Sequence, residues 1–357
     1  MALLSIQCND YLIHFNEQSY IELNNYLKSK NYSKVFILVD ENTHNHCLPL
    51  LMSRIEGEYD FEIIEIEAGE QFKNIETCTG VWSALSELGA DRKSVLINLG
   101  GGVVTDLGGF VASTFMRGID FINIPTTLLS MVDASVGGKT GVDLGVLKNQ
   151  VGVFNNPEMV LIDSLFLKTL PKNQLLSGSA EMLKHGLIYD ETYWNNFADP
   201  TVLESDKLDE LIYRSVEIKN EIVLQDPREK GLRKIVNYGH TLGHAIESYF
   251  LESSQKKDLL HGEAIAIGMI LETYLSNQIE NFPEDKLNQI KAVFLSYFDK
   301  VTFNDEDYSK IIDLMKFDKK NSHGNINFVL LKNIGITSID IKITNDLIIK
   351  AFEFYNK

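Results

Sequence analysis

The chain has 357 residues, 44% of them hydrophobic, which suits two ordinary globular domains. With 50 acidic against 33 basic residues its net charge is −17, which argues against a nucleic-acid surface and makes any local cluster of basic residues a candidate anion pocket. No signal peptide is expected from the opening Met1-Ala2-Leu3-Leu4-Ser5, no apolar run reaches the ~18 residues of a membrane span, and Cys8, Cys47 and Cys78 lack metal-type spacing and read as reduced, cytoplasmic thiols.

In chain order, the pattern predicts an opening hairpin over 3–8 and 11–15, a helix over 19–27 and a buried strand over 34–39 that ends at Asp40. A carboxylate just past a strand end is where doubly wound sheets hold ribose hydroxyls, although a cap on the next helix explains Asp40 equally well. A strand over 61–66, a polar loop over 68–73 and an amphipathic helix over 74–87 follow. Ser94 to Asn98 is another buried strand, and Leu99-Gly100-Gly101-Gly102 then leads into a helical pattern over 103–116. Strand, glycine turn and helix is the geometry that sets backbone N–H groups and a helix N-terminus against a phosphate.

Neither standard phosphate motif fits. The dinucleotide fingerprint begun at Gly100 needs glycine where Thr105 stands, and the P-loop ending Gly138-Lys139-Thr140 needs glycine where Asp133 stands. Arg117, Lys139 and Lys148 nevertheless lie within or beside the glycine-rich stretch, as an anion site requires. Strands over 120–124 and 159–163 complete a parallel α/β pattern with helices on both faces.

After about residue 165 helical patterns dominate, over 175–189, 207–224, 240–250, 262–278, 284–298 and 344–355, with a small hairpin over 326–331 and 337–341. The expected architecture is a Rossmann-like α/β domain over 1–165 and a mainly α-helical domain over 166–357, with a cleft between them as the default site. In the second domain His240 and His244 stand at i, i+4, His261 opens the next long helix, and Glu181 and Lys184 share a helix face. Two histidines and a glutamate form a common catalytic zinc set, and spacing alone nominates His240 and His244 as ligands together. Ordinary surface or core histidines account for an i, i+4 pair equally well.

Residues 100–106, Pro125-Thr126-Thr127-Leu128, residues 133–141 and Lys148-Asn149 together resemble the 3-dehydroquinate synthases, and the likeness runs from about Val39 to Lys320. That resemblance implies conversion of 3-deoxy-D-arabino-heptulosonate 7-phosphate to 3-dehydroquinate and phosphate, with NAD+ recycled in each turnover and one divalent ion, zinc or cobalt, per subunit. It implies that Glu181, His240 and His261 hold the metal, and that His244, with Lys139, Lys184 and Glu247, is catalytic. Asp40, Asn42, Glu70 and Lys73 resemble the family's adenosine-side contacts. Gly101, Gly102, Val103, Asp106, Thr126 and Thr127 resemble its pyrophosphate and nicotinamide-ribose contacts, and Asp133, Lys139, Lys148, Phe166 and Thr169 complete the coenzyme set.

The same resemblance assigns the substrate to Asp133, Lys139, Lys148, Asn149, Lys184, Arg233 and Asn237, with Lys319 or Lys320 in the late Asp318-Lys319-Lys320-Asn321 motif. Arg117 matches an arginine that enters the neighbouring subunit's site, which implies a functional homodimer. His185 lies outside the family's motif and reads as an ordinary helix residue. Two departures stand out: Thr105 replaces the usual glycine, so the turn there must accommodate a Cβ, and Leu170-Pro171-Lys172-Asn173-Gln174 lacks the usual Arg-Glu. The rival readings are a metal-dependent polyol or alcohol dehydrogenase, another sugar phosphate cyclase, and a non-catalytic nucleotide-binding protein.

Overall fold

In the computed structural model, which describes residues 3–145, 147–253, 256–315 and 326–357, the apolar runs of the first half become strands. They are β1 (Ile6–Gln7), β2 (Leu12–Phe15), β3 (Val35–Asp40), β4 (Phe61–Ile66), β5 (Val95–Gly100), β6 (Asp120–Pro125), β7 (Lys139–Leu144), β8 (Leu147–Phe154) and β9 (Met159–Ile162). One sheet has the order β1-β2-β9-β6-β5-β3-β4 and is parallel except where β1 meets β2. Interleaved helices are α1 (Glu17–Lys30), α2 (Glu41–His46), α3 (Leu48–Arg54), α4 (Ile75–Glu87) and α5 (Gly102–Thr114).

Strand alternation sorts this core into two layers. Phe36, Leu38, Leu96 and Phe121 cluster with Cys78, Val81 and Leu85 of α4 and with Val104, Leu107 and Val111 of α5. Ile37, Ile97 and Ile122 point to the opposite face and are fully buried too, as both faces of a parallel sheet require.

β7 and β8 form an antiparallel hairpin that the sequence pattern does not predict. Its glycines and polar residues break the apolar alternation that marks a strand. The helix expected over 103–116 stops at Thr114 and passes into a 3₁₀ turn, Phe115–Arg117.

The described residues divide into two compact units, Met1–Leu175 and Leu176–Lys357. The second is largely helical: α6 (Lys172–Tyr189, which starts in the first unit), α7 (Glu191–Trp194), α8 (Leu208–Gln225), α9 (His240–Glu252), α10 (His261–Glu280), α11 (Glu284–Tyr297), α12 (Asp305–Met315) and α13 (Asn345–Asn356), with a hairpin of β10 (Phe328–Asn333) and β11 (Ile336–Ile341). The α/β-then-helical architecture is thus the one expected. Lys319 and Lys320 lie outside the described residues. Among the described residues no helix is long and apolar enough to cross a membrane.

Candidate active site

From β3 the chain runs outward to β4, then returns past β3 to β5 and on to β6. Open α/β sheets take ligands beyond the carboxyl ends of the strands at such a reversal. The residues there are Asp40, last in β3, and Gly100, last in β5. Gly101 is the N-cap of α5 and supplies no side-chain cap, so it leaves the leading amides of that helix for an anion. Two of the three glycines are sterically required: a Cβ on Gly100 would fall 2.4 Å from Val104 Cβ, and one on Gly101 2.9 Å from Thr127 Cγ2. Gly102 is less constrained, since a Cβ there meets nothing nearer than 3.6 Å.

The expectation for Thr105 is corrected. It lies one turn inside α5 rather than in the turn, and its buried hydroxyl donates to the Gly101 carbonyl at 3.2 Å. Its Cβ is therefore accommodated by helix geometry. Asp40 does cap a helix: Oδ1 accepts the Thr43 N–H at 2.8 Å, and Asn42 sits exposed in the same α2 turn. The Thr126 N–H donates to the Gly100 carbonyl at 2.9 Å. Thr127 Oγ1 lies 2.9 Å from Ser130 Oγ, where a one-turn π-helix, Ser130–Ala134, carries Asp133. Phe166 is buried, and the exposed Thr169 donates its hydroxyl to the Phe166 carbonyl at 3.2 Å.

Residues far apart in sequence meet in one ionic network. Lys73 Nζ lies 2.7 Å from Asp106 Oδ2 and 2.7 Å from Asn149 Oδ1. Lys148 Nζ lies 3.0 Å from Glu70 Oε1 and 3.5 Å from Asp143 Oδ2, and Asp143 also accepts the Asn149 N–H at 2.6 Å. The hairpin register explains the aim of these side chains. Val142 faces Val151 while Leu144 faces Leu147, so residues 148–150 all oppose Asp143, and Asn149 takes a left-handed φ of 51°. Such a bulge turns Lys148 and Asn149 toward one network, where regular alternation would part them.

Burial disfavours the Lys73 ammonium, but Asp106, Glu70 and Asp143 outweigh it and hold its pKa above the ordinary lysine value. Burial likewise raises the carboxyls of Asp106 and Asp143, against the pull of Lys73. Asp143 belongs to no motif and was not legible as a site residue. Lys139, half-buried, opens β7. Arg117 stands elsewhere, exposed in the consecutive left-handed residues Met116, Arg117 and Gly118. It lines a cavity of about 430 Å³ with Asp120, Phe154, Asn155 and Glu158.

In the second unit three helices bring their donors together. Glu181, fully buried in α6, forms an ion pair with Lys184 one turn on. His240 and His261 are the first residues of α9 and α10, and their Nε2 atoms lie 3.5 and 3.7 Å from Glu181 Oε1. Donors around a tetrahedral zinc with bonds of about 2.0–2.1 Å stand about 3.3–3.4 Å apart, so these three fit a divalent ion closely. His244 is near as well, its ligating nitrogen within 4.8 Å of those of His240 and His261.

The outer nitrogens of both rings are tied down. His240 Nδ1 lies 3.1 Å from the Tyr238 carbonyl, which only accepts, so Nδ1 carries the proton and Nε2 is left as donor atom. His261 Nδ1 lies 3.2 Å from Glu247 Oε2. Burial opposes a charge on His261, but Glu247 and Glu181 outweigh it and push the imidazole up to about 10. A metal arriving at Nε2 would therefore release a proton.

Arg233 is buried in a 3₁₀ turn, Leu232–Asn237, and donates from Nη1 to the Pro227 carbonyl at 2.7 Å. Asp226, which the sequence did not single out, anchors that turn by accepting the N–H groups of Gly231 at 2.7 Å and Arg233 at 3.1 Å. Asn237 donates from its amide to Glu229. His185 is buried with Nδ1 2.7 Å from Ser215 Oγ, and one of its ring nitrogens lies within 4.8 Å of a Glu181 carboxylate oxygen, so it stands beside the candidate metal donors although no motif marks it.

Comparison with known proteins adds a family match, a relative by sequence and two solved structures. Residues 63–177 match a family model described as 3-dehydroquinate synthase N-terminal, and residues 178–321 match its C-terminal counterpart. A 3-dehydroquinate synthase of Parabacteroides distasonis is 44% identical over 341 residues, covering 94% of this chain and 95% of that protein. Among solved structures, 2-epi-5-epi-valiolone synthase from Streptomyces hygroscopicus, with NAD+ and Zn2+ bound, superposes with a TM-score of 0.85 at 25% identity, covering 99% of each chain. A 2-deoxy-scyllo-inosose synthase complexed with carbaglucose-6-phosphate, NAD+ and Co2+ shares the fold with a TM-score of 0.86 at 24% identity, covering 98% of this chain and 99% of that one.

Proposed function

This chain belongs to the 3-dehydroquinate synthase family, and on that premise we propose how its residues turn 3-deoxy-D-arabino-heptulosonate 7-phosphate into 3-dehydroquinate and phosphate. The observation that carries the reading is the convergence of the Glu181 carboxylate with the Nε2 atoms of His240 and His261, at 3.5 and 3.7 Å. When bound, NAD supplies a hydride acceptor restored within each cycle, and the divalent ion supplies Lewis-acid polarisation of the oxygen being oxidised.

Glu181, His240 and His261 hold the ion. His244 stands beside it and serves as the proton-transfer group. Glu247 fixes the ring of His261. In the first unit Asp40, Asn42, Glu70 and Lys73 take the adenosine side of the coenzyme, with Phe166 and Thr169 beside it. The N-terminus of α5 at Gly101, Gly102 and Val103, with Asp106, Thr126, Thr127 and Asp133, takes the pyrophosphate and the nicotinamide ribose.

The substrate's phosphate and carboxylate require fixed cations. Lys139, Lys148, Lys184 and Arg233 supply them, while Asn149 and Asn237 bind hydroxyls. Oxidation acidifies the neighbouring C–H, so phosphate leaves by β-elimination; re-reduction, ring opening and an intramolecular aldol step close the carbocycle.

A second copy of the chain would contribute Arg117. Its place in a run of three left-handed residues, beside the exposed apolar Met116 and Phe154, supports that reading. The buried free thiols Cys8, Cys47 and Cys78 suit the cytoplasm as compartment.

The test is phosphate release from the heptulosonate phosphate with NADH absorbance followed in parallel. Stoichiometric phosphate without net NADH, abolished by a chelator and restored by zinc or cobalt, is the expected result. NADH accumulating from a simple polyol would assign the chain to the dehydrogenases instead, and turnover of glucose 6-phosphate to another cyclase.

A further inference from the structure

α9 and α10 run antiparallel in close contact. Gly239 backs onto Gly268 and Gly243 onto Ile265, while Glu247 reaches His261. A Cβ on Gly268 would lie 2.0 Å from the Gly239 carbonyl oxygen, so glycine there permits the approach. At one end of this contact α9 begins, and the leading amides of a helix have no partners within it. The residue before His240 is Gly239, at φ 79°, with no side chain to cap them.

The acceptor comes from α10. Glu272, fully buried about three turns beyond His261, accepts the Gly239 N–H at 2.7 Å through Oε2 and the Leu242 N–H at 3.3 Å through Oε1. The buried Tyr238 hydroxyl adds a bond to the Met269 carbonyl at 3.1 Å. A buried carboxylate is costly unless hydrogen bonds and opposite charge meet it, and the positive end of α9 supplies both. An apolar side chain in the same place would leave those buried amides unpaired, so the carboxylate has a task beyond packing.

We propose that Glu272 is a positioning residue for His240. By gripping the backbone before and after His240, it fixes where the imidazole Nε2 stands relative to Glu181 and His261. The inference rests on the reading of His240 as a metal ligand.

The test is zinc affinity of the purified full-length protein, measured by competition with a chelator of known strength, together with the absorption spectrum of the cobalt-loaded protein. Glu272→Gln is expected to weaken zinc binding about 10–100-fold and to shift the cobalt bands. Ser276→Ala, one turn further along α10, removes the hydroxyl that accepts the Leu331 N–H and donates to the Glu272 backbone carbonyl but leaves the Glu272 carboxylate in place, and it should perturb stability at unchanged zinc affinity. Glu272→Asp keeps the charge but draws the carboxylate back by one methylene; it should weaken zinc binding too, and it carries the test if the Gln variant does not fold. A folded Glu272 variant that binds zinc within about threefold of the parent, with an unshifted spectrum, would overturn the inference alone. Parent affinity retained in His240→Ala would overturn the ligand assignment, and this inference with it.

Discussion

The Nδ1 atom of His261 and the Oε2 atom of Glu247 lie 3.2 Å apart, joining the first residue of α10 to the middle of α9. The carboxylate accepts the Nδ1 proton and leaves Nε2 to face Glu181. Glu247→Ala frees the ring to rotate, so zinc affinity should fall about 10–100-fold. Chelator competition measures it, and an affinity equal to the parent's would show that Glu247 has no part in holding the ring.

His240 and His244 are neighbours on one helix face, and the proposed function gives them distinct roles. His240→Ala should abolish stoichiometric zinc binding. His244→Asn should keep the zinc and lose about 10²–10⁴-fold in kcat, the usual contribution of a positioned proton-transfer group. Loss of zinc in both variants would instead favour the three-imidazole set.

Lys73 is buried against Asp106 and Asn149. Lys73→Met leaves the Asp106 charge without its cation, a change that costs about 3–5 kcal/mol when a buried pair is broken. Thermal unfolding should register that loss, and NAD should bind more weakly. Adding Asp106→Leu should recover part of the stability and none of the NAD affinity.

Burial opposes ionisation of Asp226, but the N–H groups of Gly231, Lys230 and Arg233 outweigh it and hold the carboxyl below its ordinary value of 3.8. A folded-state pKa below the unfolded one contributes stability above the ordinary value, lost as pH falls through the folded value. Unfolding free energy should therefore drop more steeply from about pH 5 to pH 3 in the parent than in Asp226→Asn. The same variant loosens the turn that carries Arg233, so its substrate KM should rise at neutral pH; an unchanged KM would remove Asp226 from the support of the site.

If Arg117 serves the neighbouring subunit, Arg117→Ala and His244→Asn should each be nearly inactive alone. Mixed and reassociated, they should regain activity at about a quarter of all sites, because each hybrid dimer has one site with both residues intact. No recovery on mixing would place Arg117 in its own subunit's site or outside catalysis.

The legible parts of the chain were those written in one continuous pattern. The strand over 61–66 matches β4 at both ends, and the helix expected over 74–87 begins at its Asn74 cap. The β7–β8 hairpin was hidden because Gly141, Lys148, Asn149 and Gly152 interrupt any alternation. α2, Glu-Asn-Thr-His-Asn-His, has no apolar face to announce it, only the Asp40 cap. Lys73, Asp106, Lys148 and Asn149 could each be named from sequence, but their meeting could not, since it depends on a bulge opposite Asp143. Asp226 and Glu272 went unseen for a related reason: both act on backbone amides, and an amide leaves no trace in a residue pattern.

Glu181, His240 and His261 come from three different helices, and no two of them are neighbours along the chain. A metal can assemble a short local loop around itself, as in small zinc domains that unfold without it. Here each bond to the ion would close a long stretch of chain, a slow event until tertiary contacts have formed. An ion held by this trio is therefore expected to arrive last, at docked helices, and metal uptake followed during refolding would report the completion of the fold rather than its beginning.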